Sequence, residues 1–320
     1  MSDKLIVSIV NITEEQTRAI RDTAKNAGWD VEFFTDVKEA LLAAKDAEVA
    51  FGDTPEFVKV APDLKWICCP SAGVNHFTRS EEFMNSGVML SNSSGAYGTA
   101  ISEHIIMVTL AMLRKLPEYQ DMVSKKKWRP AHGISSIRGS RITILGTGDI
   151  GRETAKRLRA FYPKDITGLN TTGHDESGAF DRVIGSDMLS EVLPKTDILI
   201  MALPGTKNTD HIMDERNLRL LKDGALIVNV GRGSLIDEEA LLKELKSGRL
   251  RAALDVFEKE PIPVDSDLWD CPNLLITPHV AGDMYLPYTV ERIVEMFLED
   301  FRRYIKGEKP VRLVDLRKGY

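Results

Sequence analysis

Residues 141–161 constrain the fold of this chain more than any other segment. A short apolar strand pattern (141–145) runs directly into a glycine-rich turn (GTGDIG, 146–151), and helical spacing follows over 152–161. A G-x-G-x-x-G sequence alone is a weak signal, but strand, turn and helix in direct succession are what a dinucleotide pyrophosphate requires. The first glycine permits the tight turn, the second admits the phosphates, and the third lets helix and strand pack. The residues expected to contact a dinucleotide are Gly146, Gly148, Asp149, Ile150 and Gly151.

Strand and helix patterns alternate along nearly the whole chain, which predicts an α/β fold with parallel sheets. Glycines and serines cluster at 91–98, where we expect a domain boundary, and a final helix is predicted over Leu286 to Lys306. The predicted strands of the first third are 5–10, 31–35, 49–52, 65–69 and 88–91, with helices at 13–27, 36–44 and about 56–60. A second alternating set runs from 142 to about 280.

Composition excludes several classes of protein. With 320 residues, 43% hydrophobic and 28% charged, the chain is long enough for two domains. A formal net charge of -6 without a basic stripe argues against nucleic-acid binding, and no apolar run is long enough to span a membrane. The three cysteines, Cys68, Cys69 and Cys271, lack C-x-x-C spacing, so we expect neither disulfides nor a metal site. We predict a cytoplasmic protein, since the apolar run 5–10 is too short for a signal peptide.

Three predicted strands each end close to one polar side chain. Residues 225–230 precede Arg232, residues 252–257 precede Glu258 and Glu260, and residues 274–277 precede His279. Ligands of open parallel sheets bind outside the carboxyl ends of the strands. A guanidinium, a carboxylate and an imidazole at that edge would suit a small carboxylate substrate and the transfer of a proton.

The strand after the glycine turn bears on the choice of cofactor. An NAD site usually carries an acid about twenty residues on, to accept the ribose 2′-hydroxyl, but here the strand 165–169 ends in Asn170, Thr171 and Thr172. Without a carboxylate nothing repels a 2′-phosphate, and these three side chains could donate hydrogen bonds to it. No arginine follows the strand. We predict NADP(H) in preference to NAD(H).

Five motifs together resemble the D-isomer-specific 2-hydroxyacid dehydrogenase family: GTGDIG, LPGTKNT, NVGRGSLID, ALDVFEKEP and TPHVAG, in this order. Within the family the chain is most similar to the glyoxylate/hydroxypyruvate reductase branch, through SAGVNHF, LWDCPNLLITPHVA and the terminal VDLRKGY. The resemblance implies two Rossmann-like doubly wound domains. A nucleotide domain (99–283) is inserted into a discontinuous substrate domain (1–98 and 284–320), with the active site between them and a homodimer as the usual assembly.

The resemblance also implies catalytic roles. Arg232 would bind the carboxylate of a 2-oxo acid, His279 would protonate the carbonyl oxygen while hydride arrives from the nicotinamide, and Glu260 would pair with His279. Glu258, two residues earlier, remains the alternative partner of the histidine. The other histidines, including His104, are interpreted as structural or surface residues.

The resemblance further implies a substrate loop from the first domain and several cofactor contacts. Small residues in the loop would let backbone amides face an anion, while Trp66 and Trp128 are interpreted as packing residues. The implied substrate-binding residues are Phe51, Ala72, Gly73 and Val74. The implied cofactor contacts are Leu203, Pro204, Thr209, Val230, Gly231 and Asp255, and the last of these should have a partner because an unpaired buried charge is costly.

Two other functions remain open from the sequence. Folds of this kind also serve as nucleotide sensors that bind protein motifs without turnover, although no appended tail or extra domain supports that function here. A phosphoglycerate dehydrogenase is also possible, although no regulatory domain follows Tyr320. A formate dehydrogenase is disfavoured, because its histidine pairs with glutamine where Glu260 stands here. The identity of the 2-oxo acid, the physiological direction and the pathway are not predicted.

We expect His279→Ala to lower kcat by about 10²- to 10⁴-fold, the usual contribution of a positioned general acid. Steady-state kinetics with a 2-oxo acid and NADPH measures this loss. A variant that retained the full kcat would remove His279 from the mechanism.

Overall fold

The computed structural model describes residues 3–284 and 286–317. The chain forms two compact units, one comprising Met1–Tyr97 with Asp283–Tyr320 (unit 1) and the other Gly98–Gly282 (unit 2). The last three residues of the VDLRKGY motif lie outside the described residues.

Unit 1 contains a five-stranded sheet in the order β2-β1-β3-β4-β5, with every strand pair parallel. Residues 312–314 run antiparallel beside β5, where the Val314 amide donates to the Leu90 carbonyl. This strand order reverses between β1 and β3, as in doubly wound sheets. The strands are β1 (Lys4–Ser8), β2 (Asp30–Phe33), β3 (Val49–Gly52), β4 (Trp66–Cys68) and β5 (Met89–Ser91).

The helices of unit 1 bury their apolar sides around an aromatic core. Phe297 of the last helix stacks on Phe51 of β3 with ring centroids 4.1 Å apart, and both rings are buried. Thr13 and Gln16 form the reciprocal capping box that begins the first helix. The helices are α1 (Glu14–Asn26), α2 (Val37–Ala43), α3 (Phe57–Val60), α4 (Asn75–Thr78), α5 (Glu81–Ser86) and, in the chain's last segment, α12 (Pro287–Ile305).

Unit 2 contains a seven-stranded parallel sheet in the order β12-β11-β10-β9-β6-β7-β8. The order reverses between β6 and β9, so the loops after these two strands diverge and leave a crevice at the carboxyl edge. The glycine-rich turn follows β6 at this position. The strands are β6 (Arg141–Leu145), β7 (Asp165–Asn170), β8 (Arg182–Gly185), β9 (Ile198–Met201), β10 (Leu226–Asn229), β11 (Arg251–Leu254) and β12 (Leu274–Ile276).

The helices of unit 2 pack against this sheet. The first of them buries an apolar face formed by Ile101, Ile105 and Val108, which stand at i, i+4 and i+7. The helices are α6 (Gly98–Leu113), α7 (Leu116–Ser124), α8 (Asp149–Leu158), α9 (Leu189–Val192), α10 (Glu215–Leu220) and α11 (Glu238–Lys246). Within the described residues, no helix combines the length and the apolar character needed to cross a bilayer.

Three details differ from the sequence-based expectations. The helix after the glycine turn begins at Asp149 rather than Arg152, because Gly148 serves as its N-cap residue. The strand predicted over 252–257 ends at Leu254, so Glu260 lies in a loop well beyond it. The prediction that Trp128 is a packing residue is wrong for the single chain. It follows the end of α7 and is fully exposed.

We expect Phe51→Ala to lower the free energy of unfolding of unit 1 by roughly 3–5 kcal/mol, since it removes a buried ring from a stacked aromatic core. Urea denaturation measures the change. Leu42→Ala, at a position that is 86% exposed, is the matched control and should change stability by at most about 0.5 kcal/mol. A Phe51→Ala variant as stable as this control would contradict the core assignment.

Candidate active site

The three glycines of the turn after β6 have the backbone properties that a dinucleotide cradle requires. Gly146 has φ +106°, and a Cβ there would lie 2.7 Å from the Ala202 carbonyl oxygen of the next loop. A Cβ on Gly151 would overlap the Gly146 carbonyl, so helix and turn are in direct contact. Gly148 is exposed and faces open space, which leaves room for a ligand against the backbone. The turn therefore fits a pyrophosphate group at the amino end of α8.

The side chain of Asp149 is directed away from this open face. Its carboxylate lies against Gly98, the first residue of α6, and Oδ2 is buried without a hydrogen-bond partner among the described residues. Burial raises the pKa of Asp149, and the hydrogen bond from the Gly98 amide opposes that rise. The side chain thus serves the packing of α6 against α8, and a contact with a dinucleotide would come from the backbone at this position.

Asn170, at the end of β7, organises the loop that follows. Its Nδ2 donates to Thr147 Oγ1 and to the His174 carbonyl, both at 2.8 Å. Its Oδ1 accepts from the amides of Thr172 and Gly173. The Asn170 side chain is therefore used inside the protein, whereas Thr171 and Thr172 are exposed at the tip of the loop.

The same loop holds a cation that the sequence did not reveal. Arg152, in the first turns of α8, donates from Nε and Nη2 to Asp175 Oδ1 at 3.0 and 2.8 Å. The Asp175 side chain is 2% exposed and also accepts from Ser177. Burial would raise the pKa of Asp175, but the hydrogen bonds from Ser177 and Arg152 outweigh it and lower that pKa. An ionised Asp175 thus holds a half-exposed guanidinium beside the end of β7.

The loops after β9 and β10 pack tightly against each other. Thr209 Oγ1 donates to the Pro204 carbonyl at 2.7 Å, closing the loop after β9. A Cβ on Gly231 would lie 2.6 Å from the Leu203 carbonyl oxygen, so only glycine allows the loop after β10 this close. The predicted cofactor residues Leu203, Pro204, Thr209, Val230 and Gly231 therefore lie together at the carboxyl edge of the sheet.

Arg232 lies directly after this contact and is half-buried. Its Nη1 donates to the Gly231 carbonyl at 2.6 Å, and its Cγ would be 3.0 Å from a Cβ on Gly205. Gly233 packs so closely on the backbone of Phe257 that a Cβ there would overlap it. The arginine loop is thereby joined to the segment that carries Glu260.

The structure pairs Glu260 with His279. His279 Nδ1 is 2.7 Å from Glu260 Oε2, while Glu260 Oε1 accepts from the Phe257 amide at 2.9 Å. Glu258, the alternative partner left open by the sequence, instead lies 2.8 Å from His211 Nε2. His279 Nε2 has no hydrogen-bond partner among the described residues, and the side chain is 51% exposed. The imidazole can therefore present Nε2 to a ligand.

A buried carboxylate fixes the backbone around His279. Asp255, 2% exposed, accepts hydrogen bonds from Thr277 Oγ1 (2.6 Å) and from the amides of Val280 (3.0 Å) and Ala281 (2.9 Å). The His279 amide donates to the Asp255 carbonyl at 2.8 Å, and His279 has φ +55°. A non-glycine residue in this left-handed region is uncommon and requires support from its surroundings. Asp255 has the partners expected for a buried charge and supplies that support.

His104, interpreted from the sequence as structural or surface, is a structural residue whose partners the sequence did not predict. From α6, His104 Nε2 lies 3.2 Å from Thr277 Oγ1 and 3.8 Å from Asp255 Oδ1. Because the single hydroxyl proton of Thr277 is donated to Asp255, the imidazole Nε2–H is the donor to the threonine. Burial lowers the pKa of His104 and the nearby Asp255 opposes that shift. The only signal in the sequence was an imidazole within an apolar helix.

In unit 1 the predicted substrate loop joins β4 to α4. Its carbonyls are used, since Ala72 O accepts from Asn92 Nδ2 at 2.7 Å. The amides of Ala72, Gly73 and Val74 donate to no group within residues 3–284 and 286–317. Three neighbouring amides of this kind can bind an anion. Phe51, the other residue predicted to bind substrate, lies in the core of unit 1. Its ring has no exposed surface with which to touch a substrate.

A dinucleotide cradle, an arginine and a glutamate-paired histidine at one edge of a parallel sheet define the class of the protein: a nicotinamide-dependent oxidoreductase. The sequence model of one protein family, the D-isomer specific 2-hydroxyacid dehydrogenase, NAD binding domain, matches residues 106–281. This chain belongs to the D-isomer-specific 2-hydroxyacid dehydrogenase family.

Individual relatives agree with this assignment. A glyoxylate reductase of Thermofilum pendens is 32% identical over 287 residues, covering 87% of this chain and 81% of that protein. A D-3-phosphoglycerate dehydrogenase of Methanocaldococcus jannaschii is 33% identical, covering 87% of this chain and 54% of that protein. The crystal structure of an NADPH-dependent glyoxylate/hydroxypyruvate reductase of Sinorhizobium meliloti, in complex with NADP and sulfate, has a TM-score of 0.83 and 26% identity with full coverage of both chains. The family and branch predicted from the motifs are confirmed.

We expect Asp255→Asn to lower the free energy of unfolding of unit 2 by about 1–3 kcal/mol. The side-chain NH2 group of the asparagine would replace one accepting oxygen and would face the backbone donors of residues 280 and 281. The kcat should fall as well, because the backbone of His279 loses its support. Denaturation and steady-state kinetics measure the two effects. Asp265→Asn, at an exposed acid, is the control, and equal behaviour of the two variants would refute this role.

Proposed function

We propose that this protein reduces a small 2-oxo acid, of the size of glyoxylate or hydroxypyruvate, to the D-2-hydroxy acid with NAD(P)H. The observation that carries the proposal is the 2.7 Å contact between Glu260 Oε2 and His279 Nδ1, which leaves Nε2 exposed as a proton donor. An oriented histidine at the carboxyl edge of a dinucleotide-binding sheet suits acid catalysis at a carbonyl oxygen.

His279 would donate its Nε2 proton to the keto oxygen, and Glu260 would stabilise the protonated imidazole and hold its orientation. Arg232 would bind the substrate carboxylate, because a planar guanidinium can form two parallel hydrogen bonds with it. The bound nicotinamide would supply the hydride to the keto carbon. Hydride and proton together account for the two hydrogens gained by the product.

Two parts of the protein would hold the ligands. The Gly146–Gly151 turn and the loops containing Leu203, Thr209 and Gly231 would hold the dinucleotide, as their close backbone contacts favour. The amides of Ala72, Gly73 and Val74 would bind the substrate carboxylate, since they have no other acceptor among the described residues. The assignment of unit 1 to substrate and unit 2 to nucleotide is part of the same proposal.

Turnover across a panel of 2-oxo acids tests the proposal. The purified protein, with NADPH, should oxidise the cofactor in the presence of glyoxylate or hydroxypyruvate and more slowly with bulkier 2-oxo acids. If the protein binds NADPH but oxidises it with none of the 2-oxo acids in the panel, the result would instead identify a nucleotide sensor.

A phosphoglycerate dehydrogenase activity is the second candidate, because a relative of that name is 33% identical. The panel should therefore include 3-phosphohydroxypyruvate. A higher kcat/KM with this compound than with hydroxypyruvate would favour the second candidate.

We further propose a preference for NADP(H), supported by Arg152 and the exposed Thr171 and Thr172. A dinucleotide on the glycine turn places its adenosine ribose near the end of the following strand, and Arg152 lies at that end. An arginine beside the ribose accommodates a 2′-phosphate. Asp175, a few residues beyond β7, does not act as the usual ribose acceptor in this scheme, because both its oxygens already accept hydrogen bonds from Arg152 and Ser177.

We expect Arg152→Ala to lower kcat/KM for NADPH by about ten- to hundredfold while leaving that for NADH within about threefold, as the loss of one hydrogen-bonded charge predicts. Arg159→Ala is the matched control, because Arg159 pairs with Asp181 at 2.7 Å near the other end of the same helix. Equal losses with both cofactors would show a structural role for Arg152. A wild-type preference for NADH would contradict the cofactor proposal itself.

A homodimer in the cytoplasm completes the proposal. Large exposed apolar side chains concentrate between residues 107 and 134 of unit 2, an arrangement that favours a protein contact. The three free cysteines suit a reducing compartment. The exposed residues are Met107, Leu116, Val123, Trp128 and Ile134.

A further inference from the structure

Three chemically different ligand groups meet at the carboxyl edge of the unit 1 sheet. Asp53 follows β3, Cys69 follows the neighbouring strand β4, and His76 lies in α4. Asp53 Oδ1 is 2.7 Å from His76 Nε2 and 3.0 Å from Cys69 Sγ, and the three ligand atoms lie within 4.8 Å of one another. We propose that this cluster binds a zinc ion reversibly.

The chemistry of the donors selects the metal. A thiolate, an imidazole and a carboxylate are the three ligand types that zinc uses in proteins. Calcium and magnesium prefer oxygen ligands throughout, so Cys69 and His76 argue against both. Three protein ligands leave the fourth tetrahedral position for water.

The distances are close to those that a zinc ion requires. Bonds of about 2.0–2.3 Å in a tetrahedron place neighbouring ligand atoms roughly 3.3–3.6 Å apart. The separations of 2.7 Å between Asp53 and His76 and of 3.0 Å between Asp53 and Cys69 are those of hydrogen bonds and would each need to open by about 0.6 Å. Asp53 and His76 can move by this amount, because their side chains are 36% and 41% exposed.

Hydrogen bonds from neighbouring residues hold Cys69 in place and orient Asp53. The Cys69 amide donates to the Ser91 carbonyl at 2.8 Å, and the Cys69 carbonyl accepts from Ser93 Oγ at 3.1 Å. Ser71 Oγ donates to the second oxygen of Asp53, which orients that carboxylate. Outer hydrogen bonds of this kind are typical of metal sites because they fix the ligands before the ion arrives.

Zinc binding would exchange a proton for a metal bond. The Cys69 thiol loses its proton to solvent as the zinc–sulfur bond forms, His76 ligates in its neutral form through Nε2, and Asp53 ligates as the carboxylate. Cysteine spacing alone does not reveal this group, because its ligands come from three separate elements.

The position of the cluster gives the metal a structural consequence. Cys69 precedes and His76 follows the segment 71–74, whose amides we assign to the substrate carboxylate under the proposed function. An ion at the cluster would tie both ends of that segment to Asp53. Metal binding itself does not depend on the proposed function, so the experiment below measures binding rather than turnover.

Cobalt(II) is the probe for this site, since it occupies zinc sites and reports thiolate ligation through an intense near-ultraviolet charge-transfer band. The full-length protein, stripped with EDTA and kept reduced, should bind one cobalt ion per chain with this band, and added zinc should abolish it. Cys69→Ala should lose the band, and His76→Gln and Asp53→Asn should weaken binding at least tenfold.

Two matched controls identify the ligands. Cys271→Ala removes another buried free cysteine, and His174→Gln removes an exposed histidine beside Glu176. Both should bind cobalt as the wild type does. His76 is exposed, so His76→Gln should fold normally, and an unchanged thermal midpoint in EDTA verifies this. The proposal is overturned if wild-type protein gives no thiolate band, if the band survives in Cys69→Ala, or if His76→Gln binds as tightly as His174→Gln.

Discussion

The candidate active site depends on the hydrogen bonds that the buried carboxylate of Asp255 accepts. Asp255 directly follows β11, the second strand from one edge of the sheet, and is almost without solvent, so an anion there is tolerated only because several donors converge on it. Those donors are the backbone amides of residues 280 and 281 and the hydroxyl of Thr277. The chain after β12 therefore wraps around the carboxylate, and this path places His279 in its left-handed conformation. His104 extends the network from a helix that is distant in sequence.

The parallel sheet of unit 2 explains why the remaining groups lie near one another. β10, β11 and β12 are neighbours, so the loops that follow them leave the same edge. Gly233 brings the arginine loop against Phe257, the Phe257 amide binds Glu260, and Glu260 binds His279. Each of these steps is a short backbone or carboxylate contact, so the arginine loop and the histidine belong to one connected structure.

Much of the fold and of the candidate site could be predicted from the sequence. The strand–glycine–helix succession at 141–161 and the polar residues beyond 230, 257 and 277 depend on local spacing, which the sequence carries directly. Local spacing did not decide between Glu258 and Glu260, because the choice depends on how the loop folds back. It also did not predict the contact of His104 with Thr277 or the pair of Arg152 with Asp175, since these contacts join residues that are not neighbours in the chain. The exposure of Trp128 could not be read from an aromatic residue alone, because burial depends on what packs around it.

The central claim is that fixed groups, among them Arg232 and His279, hold a 2-oxo acid in one orientation while a proton and a hydride reach its carbonyl. The stereochemistry of the product tests this claim most directly. Chiral chromatography of the glycerate formed from hydroxypyruvate should detect only the D enantiomer, because the carboxylate and the keto oxygen would be bound at set positions and the hydride would arrive from one side of the keto carbon. A racemic product, or the L enantiomer, would contradict the account.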